Sequence, residues 1–106
     1  MTWRCSCGGA FVFSELHVPP PDSLSSVTMG EGATPLVALR LRARTVAAKL
    51  EFESPTSSFK DRGAAMVVAA ALDVGATHLV ADSSGNAGGA IASYAGRAGV
   101  PCEVET

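Results

Sequence analysis

Lysine is scarce in this chain. Among eight Lys and Arg residues, only Lys49 and Lys60 are lysines. A lysine amine condenses with an aldehyde and releases water, which an arginine guanidinium does not do. Amine chemistry therefore has two candidates. Positive charge is also short. The formal net charge is -2, which argues against nucleic acid as the main partner, because phosphate binding recruits a basic surface. Long apolar runs are missing. The longest, Ala64 to Leu72, has nine residues, against about 20 for a membrane-spanning helix. No membrane partner is expected. Met1-Thr2-Trp3-Arg4 leads into cysteines and glycines, not into an apolar signal segment, so the expected location is cytoplasmic. Cysteine is sparse and odd in number. Cys5, Cys7 and Cys102 make a poor disulfide framework. Cys5-Ser6-Cys7-Gly8-Gly9 is either half of a zinc knuckle or a pair of free thiols. No second close pair follows and His17 is the only nearby extra ligand, so no metal is expected.

What remains is a 106-residue chain that is 47% hydrophobic and 17% charged, too apolar for a disordered tail and sized for one small domain. Residues 1–22 read as a cysteine-containing hairpin followed by the stiff linker Val18-Pro19-Pro20-Pro21-Asp22. Residues 23–106 read as the globular part. Gly30-Glu31-Gly32-Ala33-Thr34-Pro35-Leu36 is a loop with two glycines and a proline-fixed exit. Arg40, Arg42 and Arg44 sit two apart, so on a strand they would share one face. That face is either simply solvated or an anion site.

From Val46 the pattern sharpens. Val46 to Phe52 reads as a strand, broken by Ser54-Pro55-Thr56. A helix is expected from about Phe59 to Asp73, stopping at Gly75. Ser58 and Asp61 have the spacing of a capping box at its start. His78 to Ala81 reads as a strand, Asn86 to about Gly96 as a second helix, and Cys102 to Glu105 as a last strand. Strand, helix, strand, helix, strand predicts an α/β fold with a parallel sheet and right-handed crossovers. Both helices are apolar on nearly every side, which predicts burial on more than one face. Three strands and two helices do not supply that cover, so the expectation is a truncated chain or part of an assembly.

In open parallel sheets, ligands bind beyond the carboxyl ends of the strands. The predicted topology puts two polar loops there: Ser57 to Arg62, with Lys60, and Ser83 to Gly88. The second loop suits a small anion. Its glycines admit close backbone approach, helix-start amides point at the ligand, and Ser83 and Ser84 add hydroxyls. The plainer alternatives are a helix cap at Asn86, ordinary turn chemistry at the serines, and an exposed helix-start lysine at Lys60. Gly85-Asn86-Ala87-Gly88-Gly89 with Glu105 imitates a dinucleotide site, but the Gly-x-Gly-x-x-Gly pattern is absent.

Ser54 to Gly63, Ser83 to Gly88 and Gly30 to Leu36, in their order along the chain, resemble the threonine synthase family. That family belongs to the pyridoxal-phosphate enzymes of the tryptophan-synthase-beta type. The resemblance runs from about Gly30 to the end. Many members carry glycine where Ser57 stands. The resemblance implies a three-layer sheet of PLP fold type II, here partial. It implies pyridoxal 5'-phosphate as cofactor, held by Lys60, which also shuttles protons as the catalytic residue. It implies that Asn86 touches the cofactor's ring hydroxyl and that Ser83, Ser84, Gly85, Asn86 and Ala87 take the substrate carboxylate. The implied reaction turns O-phosphohomoserine and water into threonine and phosphate, with an amino acid as the small-molecule substrate. The family's later glycine-rich phosphate loop has no room in 106 residues. The alternatives are an inactive remnant or interaction module that joins a homo-oligomer or complementing subunit, or another member such as a threonine dehydratase.

Overall fold

The computed structural model describes residues 19–106. The cysteine pair, His17 and the expected N-terminal hairpin lie outside the described residues. The chain enters through a short helix α1 (Leu24–Val27), then a hairpin of β1 (Leu36–Leu41) and β2 (Arg44–Lys49). A 3-10 turn at Glu51–Glu53 leads to α2 (Asp61–Asp73), β3 (Leu79–Asp82), α3 (Asn86–Ala98) and β4 (Cys102–Glu105).

The fold is α/β, with one correction to the expected sheet. β3 and β4 pair in parallel, from Leu79 opposite Cys102 to Asp82 opposite Glu105. The strand expected at Val46 to Phe52 does not join them. It is β2, which starts at Arg44 and pairs antiparallel with β1. The physical reason is local. A two-residue turn at Arg42-Ala43 lets Leu41 meet Arg44 directly, with Arg42 in the left-handed region at φ +55°. Closing so short a loop costs less chain entropy than a long crossover. The three arginines therefore surround a hairpin tip and do not line one strand face. Among the described residues there are two two-stranded sheets.

The core lies between the helices. Ala64, Ala65, Val68 and Ala69 of α2 face Ala90 and Tyr94 of α3, and Val27 of α1 closes the end. Alanines at these positions let two helices approach closely. Tyr94 fills the remaining width and is fully buried. The Asp73 carboxylate, at the end of α2, accepts the Asp22 and Ser23 amides at 2.7 and 3.0 Å and so seats α1. The cover over α2 is incomplete among the described residues. One side of α2 is buried, and Met66 and Val67 on the other are exposed.

α3 meets the parallel sheet through Gly88. A Cβ at that position would lie 2.8 Å from Val104 Cγ1 and 3.0 Å from the Ser83 carbonyl oxygen. Backbone offers no flexible escape, so Gly88→Ala should lower stability by about 1–3 kcal/mol in urea unfolding. Gly89→Ala, with no atom within 4 Å of its added Cβ, should instead raise it by up to about 1 kcal/mol.

Candidate active site

Lys60 sits at the mouth of α2 in a turn with an unusual backbone. Ser57 has φ +59°, in the left-handed region that β-carbon-bearing residues avoid. The Ser57 amide donates to the Ser54 carbonyl at 2.7 Å, closing the turn. The expected capping box does not form. Ser58 Oγ accepts the Lys60 amide at 3.2 Å, and Asp61 points the other way. The Asp61 side chain is fully buried and accepts the Thr56 amide at 2.7 Å and the Thr56 hydroxyl. A buried carboxyl needs such donors, and Thr56 supplies both from within the same turn.

Arg62, one residue further, anchors outward. Its guanidinium makes a forked contact with Glu51, Nε to Oε2 and Nη2 to Oε1, each at 2.8 Å. Nη2 also reaches Thr34 Oγ1 at 3.3 Å and the Gly32 carbonyl at 3.4 Å. Two-pronged guanidinium-carboxylate contacts fix direction as well as distance. Thr34 in turn donates its hydroxyl to Glu51 at 2.8 Å. Lys49 Nζ donates to the Thr34 carbonyl. The Arg62 guanidinium, then the Thr34 hydroxyl, hold the Glu51 carboxyl down at about 2.

Lys60 itself is different. Its ammonium lies 4.3 Å from the centre of the Phe59 ring, a cation-π contact on an exposed aromatic. No hydrogen bond or ion pair occupies it among the described residues. Both residues that follow it are tied down, while its own amine is not.

The second loop follows β3 as expected. Ser83 Oγ accepts the Gly85 amide at 3.3 Å, and the Ser83 amide donates to the Glu105 carbonyl at 2.9 Å. Gly85, not Asn86, occupies the N-cap position, and no side chain caps the helix. Asn86 is the first helical residue. It, Ser84, Gly85 and Ala87 are exposed at the start of α3. The uncapped amides and the exposed Asn86 amide group leave room for an anionic ligand. The shared sheet edge expected for the two loops is not the arrangement found. The 83–87 turn lies at the carboxyl end of β3, whereas Lys60 follows the hairpin. What joins the two regions is helix packing, α2 on α3. No hydrogen bond links the Lys60 side chain to the turn among the described residues.

A family profile described as "Pyridoxal-phosphate dependent enzyme" matches residues 27–105. The chain belongs to this family. Its members depend on pyridoxal phosphate. The chain is 43% identical over 92 residues to the threonine synthase of Mycobacterium leprae, covering 83% of this chain and 26% of that protein. It is 40% identical over 91 residues to the threonine synthase of Halalkalibacterium halodurans, covering 82% of this chain and 26% of that protein. It is 37% identical over 106 residues to that of Methanosarcina acetivorans, covering 95% of this chain and 25% of that protein. The chain thus spans about a quarter of the length of the curated relatives it matches.

Sequence reasoning passed over Glu31, Thr34, Glu51, Thr56 and Tyr94, which do the anchoring. Two signals were present. Glu31 lies between glycines, and Tyr94 is the one tyrosine, set in an alanine-rich helix. Among the described residues no cluster of three His, Cys, Asp or Glu side chains is placed to hold a metal.

Ser57→Gly should relieve the left-handed strain and stabilise the chain by about 1 kcal/mol, read as a higher midpoint in thermal unfolding. Glu51 gives a pH signature. Its folded value lies below its ordinary 4.5, so the clamp stabilises fully above that value and loses its contribution as pH falls towards about 2. Glu51→Gln should therefore flatten the acid limb of the stability curve in that window and lower stability at neutral pH.

Proposed function

We propose that this chain carries the lysine-bearing portion of a threonine synthase-type enzyme, acting on O-phosphohomoserine and water to give threonine and phosphate. The observation that carries the reading is the state of Lys60: an amine with no hydrogen bond or ion pair among the described residues, followed by two anchored residues. In this reading Lys60 holds pyridoxal phosphate and then carries the proton between substrate atoms. The cofactor's ring supplies an electron sink for a carbanion. Asn86 meets the ring hydroxyl through its amide. Ser83, Ser84, Gly85 and Ala87, with the first amides of α3, receive the substrate carboxylate. The uncapped helix start supports that role, because the positive end of the helix dipole favours an anion.

The names of the curated relatives favour synthase over dehydratase. The exposed Val80 and Val104 on β3 and β4, and Met66 and Val67 on α2, fit a three-layer arrangement of PLP fold type II in which more sheet and helix cover them. They fit equally a homo-oligomer or complementing subunit. Sedimentation of the pure chain separates these two: concentration-dependent association marks the assembly, a monomer across concentrations opposes it. A cytoplasmic location goes with the biosynthetic reading. No helix among the described residues is long and apolar enough to cross a membrane.

The chemical test uses the two lysines against each other. The chain is incubated with pyridoxal phosphate, reduced with borohydride and mapped. Label should concentrate on Lys60. Equal labelling of Lys49, whose amine is engaged by the Thr34 carbonyl, would contradict the assignment.

A further inference from the structure

The loop between α1 and β1 is held from two sides. Gly30 and Gly32 have φ +90° and +93°, a region closed to most side chains, and they turn Glu31 inward between them. The Glu31 carboxylate takes three donors, each at 2.9 Å: the Thr28 hydroxyl, the Met29 amide and the Tyr94 hydroxyl. The Tyr94 contact reaches across 63 residues to the middle of α3, from a fully buried ring. Hydrogen bonds to an ionised acceptor are the stronger kind. On the other side, the Arg62 guanidinium holds Gly32 and Thr34. A Cβ built on Gly32 would come within 3.0 Å of Arg62 Nη1, so loop and guanidinium are in direct contact.

We infer that Glu31 is a positioning residue that ties α3, which opens at Asn86, to the first turn of α2, which opens directly after Lys60. The link runs from Tyr94 through Glu31 and the Gly32–Thr34 loop to Arg62. It crosses between the two helices that bear the proposed site, at a place where no direct bond joins Lys60 to the 83–87 turn among the described residues. Glu31 touches neither Lys60 nor Asn86, so it acts through its neighbours. The assignment rests on the Lys60 reading given above, and it adds a residue whose role is to fix where that amine stands.

The test uses Glu31→Gln and Tyr94→Phe in the full 106-residue chain, with Asp73→Asn as a control that removes a helix anchor elsewhere. Two readouts are taken. One is amide exchange at Gly63 and Ala64, whose N–H groups donate to the Lys60 carbonyl at 3.1 and 2.9 Å. The other is the rate of Lys60 labelling by pyridoxal phosphate with borohydride. Both Glu31→Gln and Tyr94→Phe should speed exchange at Gly63 and Ala64 about tenfold, the scale of one lost bond to a charged group. Both should slow Lys60 labelling several-fold. Asp73→Asn should do neither. Should Glu31→Gln fail to fold, Tyr94→Phe, which removes one oxygen, carries the test. Selective wild-type labelling of Lys60 with unchanged exchange and labelling in the variants overturns the positioning role and leaves the lysine assignment standing. A uniform rise in exchange through Val68 and Ala69 marks a merely structural role and overturns it too. Unselective labelling of the wild-type chain overturns the lysine assignment first, and this inference with it.

Discussion

A buried carboxylate organises this chain. Asp61 has no exposed surface and accepts both the amide and the hydroxyl of Thr56. Satisfying that buried carboxyl inside the protein goes with a 54–60 segment that curls back on the start of α2. The left-handed Ser57 follows from the curl. The next residue, Arg62, leaves the helix in another direction, where Glu51, Thr34 and Gly32 receive it. Lys60 stands before these two anchors. Its backbone stands beside them, and its side chain lies over the Phe59 ring.

The same constraint explains why the loop after α1 is glycine-rich. Gly32 must bring its carbonyl to a guanidinium, and Gly30 must aim Glu31 at a tyrosine in another helix. Burial tends to push the Glu31 carboxyl up, but the donors from the Met29 amide, Tyr94 and Thr28 outweigh it and hold it below its ordinary range. Tyr94 is pushed the other way, upward, first by burial and then by Glu31. The phenol thus stays protonated and serves as a donor.

Much of the element order around the candidate site was legible from residue types and spacing. Helix α2 ends at Asp73 as expected from Gly75, and α3 begins at Asn86 after the serine-glycine turn. The parallel pairing of β3 with β4 followed from the crossover pattern. The hairpin was not legible, because Leu36–Leu41 and Arg44–Lys49 carry no Gly or Asn at the turn. Arg42 takes the left-handed conformation without the residue that usually announces it. The capping box at Ser58 failed because Asp61 found better donors in Thr56 than in the helix amides. The Tyr94–Glu31 bond spans 63 residues, and no local pattern encodes a contact of that range. The contacts that flank Lys60, from Thr56 to Asp61 and from Arg62 to Glu51 and Thr34, join residues whose pairing no motif spells out.

The central claim is that the turn carrying Lys60 is rigid. Backbone order parameters from 15N relaxation across Thr56 to Arg62 test it most directly. The account predicts values of about 0.85, those of rigid backbone, at every position of that turn. Values below about 0.6 at Lys60 and its neighbours would mean a flexible loop, and would contradict the claim that Asp61 and Arg62 set where the amine stands.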